Sequence, residues 1–193
     1  MPVDARSART ARTRRRIVDA LIAAALAGET RLCFAEIARR ADVAVRSVYY
    51  HFENMGSLYA EAVRRYEPRV AKLLVAIDRR LTLEARVRML VAQHDAVYSA
   101  IAPLHAAIRT NPDALDSPVV RDAMQRLRLA LDLHVRETLR DELRAVPDRH
   151  AARERIVAVT SFETWRHLAR VQELSRLRRT RHMTTSVMYE FVR

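Results

Sequence analysis

The chain is 193 residues long, half of them apolar, with two glycines and six prolines. That length allows one large domain or two small ones with a packed core, and so few turn formers exclude sandwiches, barrels and multi-stranded α/β folds, whose tight turns need glycine. The formal net charge of +12 favours polyanionic partners, nucleic acid first and an anionic membrane second. Lys72 is the only lysine, so part of that charge is a compositional preference for arginine.

Ala, Leu and Arg, all good helix formers, dominate, and the expectation is an all-α protein. Residues 1–12 read as a flexible basic arm, with Arg6, Arg9 and Arg12 among small and polar residues. Thr13 suits the N-cap of a first helix that buries Ile17, Leu21, Ala24 and Ala25 at helical spacing, and Gly28 closes it. A second helix, from about Phe34 to Arg40, buries Phe34, Ile37, Ala38 and Ala41. Asp42, which tolerates the left-handed conformation, turns the chain. A third, short helix runs from Val45 to about Tyr50, with Val48 and Phe52 facing inward. From Gly56 onward Pro68, Pro103, Pro112, Pro118 and Pro147 punctuate longer helices. These are expected at 56–66, 69–80, 82–101, 103–110, 118–145, 149–173 and 175–192. The best boundary lies near Tyr66–Pro68 and separates a unit at 13–66 from a larger helical unit at 67–193.

Two short helices joined by a four-residue turn, followed by an aromatic and basic cluster, read as a helix-turn-helix. The second helix must be thin enough to enter a major groove about 12 Å wide, while the first braces it. Val43 suits the buried position of the turn. With Val48 and Phe52 inside, Arg46, Ser47, Tyr50 and His51 remain outward and Tyr49 stands at the edge. Hydroxyl and imidazole groups position phosphates, and Arg can do so or read guanine.

Residues 13–58 resemble the DNA-binding domain of the TetR family of bacterial transcriptional regulators. The resemblance is carried by Phe34-Ala35-Glu36-Ile37-Ala38-Arg39-Arg40-Ala41-Asp42-Val43, then Val48-Tyr49-Tyr50-His51-Phe52, then Leu58. It implies a homodimer, a three-helix DNA-binding domain and a larger helical-bundle domain for effector binding and dimerisation. It also implies DNA-contacting roles around Arg46, Ser47, Tyr49, Tyr50 and His51. Four positions depart from the family pattern: Asp42 replaces the turn glycine, Ala44 the Ser cap, Cys33 the Thr cap and Met55 the Lys that opens the fourth helix. Arg46 restores one cation. Arg14 and Arg15 join the candidate DNA contacts. The arginines of the arm either reach an adjacent minor groove or phosphates, or stay a solvated tail.

In the second domain, His94-Asp95, His134 with Glu137, and Glu163 with His167 place acids near imidazoles. No H-E-x-x-H, G-x-S-x-G or glycine-rich phosphate loop accompanies them, so no metal, no cofactor and no enzymatic activity are expected. Cys33 is the sole cysteine, which excludes an internal disulfide and fits a reducing cytoplasm. The apolar stretch from Ile17 to Ala27 is short and carries Asp19, a poor signal peptide or membrane span. Candidate effector-lining residues are Met89, His94, Tyr98, Met124, Leu127, Leu131, His134, Phe162 and Trp165; the same residues also suit a plain core. The last two helices carry apolar stripes, Ile156, Val159, Phe162, Leu168 and Ala169 on one and Leu174, Leu177, Thr184, Val187, Met188 and Phe191 on the other. They form either a four-helix dimer interface or an intramolecular core. The expected function is a regulator, a repressor released from a near-palindromic duplex operator by a small hydrophobic effector. The rival is a small-molecule-binding protein on the same scaffold with weak or no specific DNA binding.

Overall fold

The computed structural model describes residues 5–191, and these form eleven α-helices and no strand. Residues 1–4 of the basic N-terminal segment lie outside the described residues. Helix α1 (Ala5–Leu26) starts well upstream of the expected Thr13 cap. Ala5, Ala8 and Ala11 interleave with arginines, and once a helix is nucleated each such residue extends it at little cost. Gly28, at φ 90°, ends α1. The N–H of Gly28 donates to Ala25 and that of Glu29 to Ala24, so the last free carbonyls are satisfied.

Helices α2 (Phe34–Ala41), α3 (Val45–His51) and α4 (Met55–Ala71) follow. Then come α5 (Leu83–Arg109), α6 (Pro112–Asp116), α7 (Pro118–Thr138), α8 (Arg140–Ala145), α9 (Arg149–Val159), α10 (Phe162–Arg166) with a π-helical turn at His167–Val171, and α11 (Arg176–Met188). Two compact units emerge. The first holds the chain up to Arg69 together with Ile101–Gln125, and the second holds Val70–Ala100 with Arg126–Arg193. Helices α5 and α7 therefore each contribute to both.

Two prolines do not break their helices: Pro68 lies within α4 and Pro103 within α5. A helix-interior proline costs about 3 kcal/mol. Around Pro103 that cost is outweighed by burial of Ile101, Ala102, Leu104, Ala107 and Ile108, since each large apolar side chain contributes about 1.5–3 kcal/mol. The expected helix at 69–80 does not extend beyond Ala71. Here both backbone groups of Val75 are held by side chains: its N–H donates to Gln93 Oε1 at 2.7 Å, and its carbonyl accepts from His134 Nε2 at 3.2 Å.

The long helices expected at 118–145 and 149–173 are each interrupted, and α5 supplies the reason. Buried Arg86 donates to the Thr138 carbonyl at 2.7 Å, where α7 ends, and also pairs with Glu142 of α8. Tyr98 donates its hydroxyl to the Thr160 carbonyl at 2.7 Å, where α9 ends. Ser161 then caps α10 by accepting from the Thr164 N–H.

Candidate nucleic-acid interface

The core of the first unit fixes the orientation of α3. Ile17, Leu21, Ile37, Val48, Phe52, Leu58 and Tyr59 are buried together as its apolar interior. Asp42 adopts φ 49°, ψ 57° just past α2, and the N–H groups of Asp42 and Val43 donate back to Arg39 and Ala38. A left-handed residue other than glycine costs about 1–2 kcal/mol, least for Asp and Asn. The Arg16 guanidinium meets both the Asp42 carboxylate and its carbonyl at 3.1 Å, which explains how Asp serves at a glycine position. Val43 is half-buried rather than buried.

With Val48 fully enclosed, the outer face of α3 is set by the helical period. Tyr50 is 79% exposed, Tyr49 is 62% exposed and Arg46 is also outward. Ser47 and His51 are half-buried. Tyr49 leans its ring edge-on against Phe34 of α2, centroids 4.9 Å apart, so its position is fixed from the bracing helix. Tyr50 and His51 stack edge to face at 5.2 Å. Burial, and secondarily the Arg14 charge, pushes the His51 imidazole below its ordinary range.

Neither helix of the pair has a side-chain cap at its start: Cys33 and Ala44 accept no bond from the first turn. Helix α4 is better served. Asn54 Oδ1 accepts from the Ser57 N–H at 2.8 Å, and Ser57 Oγ donates to the Asn54 carbonyl. Met55 is half-buried.

Arg14 and Arg15, neighbours in sequence, have different surroundings. Arg14 donates to the His51 carbonyl at 2.8 Å and to Glu61 at 3.2 Å, and its guanidinium lies over the Phe52 ring, 4.4 Å from the centroid. It thus satisfies a C-terminal carbonyl of α3 and joins α1 to α3 and α4. Periodicity shows which face Arg14 occupies, but not that a carbonyl 37 positions away waits for it. Arg15 keeps its guanidinium exposed, while its carbonyl accepts from Arg65.

The expected effector residues separate. His94, Tyr98, His134, Phe162 and Trp165 come together within the second unit. Phe162 and Trp165 stack at 5.7 Å, and the Tyr98 ring meets both. Trp165 Nε1–H donates to Asp95 Oδ1 at 2.8 Å; Arg179 donates to the same oxygen at 2.6 Å, and Arg176 lies 3.0 Å from Oδ2. Asp95 is only 1% exposed. Leu131 is buried and Leu127 half-buried in the same unit, whereas Met124 belongs to the first unit. Met89 is 42% exposed, while Leu90 and Val91 take the inner face of that turn.

The two histidines define their own tautomers. The Val75 carbonyl can only accept, so His134 Nε2 carries the proton. His134 Nδ1 must then accept from His94 Nε2, 3.3 Å away. His94 Nδ1 is buried and makes no hydrogen bond of ordinary geometry. Burial, reinforced by the neighbouring His134 and opposed by the Thr160 backbone, pushes His94 down to about 3, and burial lowers His134 as well, opposed by the Val75 backbone. Among the described residues no group of three or more His, Cys, Asp or Glu converges on a metal position.

The apolar stripes of the last helices divide likewise. Ile156, Leu168 and Val187 are buried in the second unit's own interior. Leu177 is exposed, and Thr184, Met188 and Phe191 are half-buried.

Residues 20–62 match the family described as "Bacterial regulatory proteins, tetR family". No curated protein matches the sequence. Among solved structures, a tetR-family transcriptional regulator from Streptomyces coelicolor aligns with a TM-score of 0.67 at 19% identity, over 92% of this chain and 78% of that one. A transcriptional regulator from Rhodococcus sp. Rha1 aligns with a TM-score of 0.67 at 17% identity, over 91% of this chain and 94% of that one. The chain shares the all-helical fold of these regulators, and residues 20–62, which hold α2 and α3, are similar to the tetR family.

Proposed function

We propose that the protein is a transcriptional regulator that binds duplex DNA as a homodimer with α3 in the major groove. The observation that carries this reading is the division of α3 itself. Val48 is enclosed in the core, while Arg46, Tyr49 and Tyr50 project from a helix within the tetR-type segment. Arg46 and Tyr50 read base edges; Ser47, Tyr49, His51 and Arg15 hold phosphates. Two recognition helices related by a two-fold axis require a near-palindromic operator. The dimer forms through the exposed parts of the last helices, including Leu177 and Tyr189, which are 78% and 66% exposed. No helix among the described residues is long and apolar enough to cross a membrane, in keeping with a regulator that works in the cytoplasm.

We further infer a repressor released by a small hydrophobic effector held in the second unit. Support comes from the aromatic group Tyr98, Phe162 and Trp165 beside the buried His94, an apolar surround with one polar ring to orient a ligand. A ligand bound there raises Tm by mass action and lowers operator affinity by reciprocal linkage.

The test is selection of bound duplexes from a random pool, followed by titration of selected and scrambled sites. Arg46→Ala is expected to cost about 1–3 kcal/mol at one base position, and Tyr50→Ala to change the selected sequence. His51→Ala lowers affinity for all sequences alike. Equal affinity of the unaltered protein for selected and scrambled duplexes overturns the reading. It would favour the rival, a ligand-binding protein without specific DNA recognition, for which the uncapped starts of α2 and α3 speak.

A further inference from the structure

Many arginines of the first unit are held by acids. Arg14, Arg16, Arg39, Arg40, Arg64 and Arg65 are each tied to an acid of the same unit. Arg9 and Arg12 are exposed near the start of α1, and no acid or carbonyl among the described residues holds either guanidinium. They are followed by Arg16 at helical spacing, three and seven residues beyond Arg9, so the three form one stripe along α1. The buried face of that helix, Ile17, Val18 and Leu21, points elsewhere. The stripe has a fixed end: Arg16 binds Asp42, the turn residue that leads directly into α3.

We propose that residues 5–16 form a rigid basic extension whose Arg9 and Arg12 hold the phosphate backbone of duplex DNA next to the segment read by α3. The inference rests on the DNA-binding reading and adds to it a second, sequence-independent contact element. Helical geometry decides which groove is open to it. An α-helix with side chains is about 10–12 Å across, while the minor groove is about 6 Å wide. A helical extension cannot insert as an extended minor-groove arm does, so its cations meet phosphates from outside. Arg9 to Arg16 spans about 10 Å of helix axis at 1.5 Å per residue, roughly three base-pair steps at 3.4 Å each. The missing cap hydroxyls at Cys33 and Ala44, and Met55 at the start of α4, remove other phosphate donors from this unit. The free arginines replace attraction of that kind through charge alone.

The experiment compares the full-length chain with the double variant Arg9→Ala, Arg12→Ala and, separately, with Ala11→Pro, which keeps both charges but ends the helix beneath Arg9. Affinity is measured on selected and scrambled duplexes from 50 to 200 mM salt. Losing two phosphate contacts makes the salt slope shallower by about 1.8, so the affinity lost across that salt range shrinks about tenfold. The same change is expected on both duplexes, with the selected sequence unaltered. Ala11→Pro is expected to weaken both duplexes as well, because the charge is no longer held in line. An unchanged salt slope in the double variant overturns the proposal, as does a selected sequence that changes at its flanks, the mark of a minor-groove arm. Ala11→Pro binding as the unaltered chain does overturns the requirement for a helix. Failure of the DNA-binding reading shows differently: the unaltered chain would not distinguish the two duplexes at all.

Discussion

The first unit keeps its charges outside and an apolar interior within; the second carries polar groups into its interior. In the first, the ion pairs Arg39 and Arg40 with Glu36, Arg16 with Asp42 and Arg64 with Glu61 lie at the surface around a core of Ile17, Ile37, Val48 and Phe52. Such pairs contribute about 0–1 kcal/mol each and weaken with salt. In the second, Arg86, His94, Asp95 and Thr160 are all buried. Arg86, Tyr98 and His134 donate to backbone carbonyls far along the chain, and Gln93 accepts from the Val75 N–H. The difference teaches where specificity of shape comes from. A small apolar core suffices for a helix-turn-helix, even with the starts of α2 and α3 uncapped. The second unit's interrupted helices are held by particular buried polar bonds, which are costly to leave half-made.

The sharpest way to break this comparison is Asp95→Ala. It leaves the largely buried Arg179 and the Trp165 N–H without their acceptor, and is expected to cost about 3–5 kcal/mol in urea unfolding. A cost below about 1 kcal/mol would place the buried cluster on the same footing as the surface pairs. Asp95→Asn keeps an acceptor for Trp165 and is expected to cost less.

Acid separates the units next. His94 and His134 are held neutral in the native state, His94 down to about 3, whereas an unfolded histidine titrates near 6.5. Below about 6.5 the unfolded chain therefore binds more protons than the native one. The contribution of these histidines is complete above that pH and is lost as pH falls toward the native values. The expected slope is about 1.4 kcal/mol per pH unit for each histidine that stays neutral while its unfolded counterpart is charged. Trp165, the only tryptophan, reports the second unit alone. Its emission is expected to shift during acidification before helical circular dichroism falls. Simultaneous loss of both signals would make the two units equally sensitive.

The smallest effect tests the apolar side. Tyr59 is fully buried in the first unit, its hydroxyl has no partner, and burial pushes it up to about 12. Tyr59→Phe is expected to stabilise by about 1 kcal/mol, since it removes an unsatisfied buried polar group and keeps the ring. Destabilisation in thermal unfolding would show a polar role for the hydroxyl inside the apolar core.

Legibility in the sequence follows the same division. The spacing from Ile37 to Val48 and Phe52 is local, so the helix-turn-helix, these three inner residues and the outward Arg46 and Tyr50 could be read directly, whereas Val43, expected buried, and Ser47 and His51, expected outward, are half-buried. Gly28 and Asp42 signalled their left-handed turns by residue type. What stayed hidden involves partners distant in sequence. Nothing near Thr138 or Thr160 announces that Arg86 and Tyr98 will claim their carbonyls and interrupt two helices. Nothing near Arg14 announces that it belongs to His51, Phe52 and Glu61. Pro68 and Pro103 signalled breaks that the surrounding helices override. His94 and His134 stood out as chemistry-bearing residues, but that each fixes the other's tautomer is a matter of tertiary distance.

The grip of Arg14 on α3 has a thermodynamic consequence. This helix is fastened at its C-terminal end, through the His51 carbonyl and the Phe52 ring, and left unfastened at its start, where Ala44 offers no cap. Its final turn is preorganised by that grip. The first turn, which no side-chain cap holds, keeps the greater freedom, so fraying of α3 starts at Ala44 and not at His51.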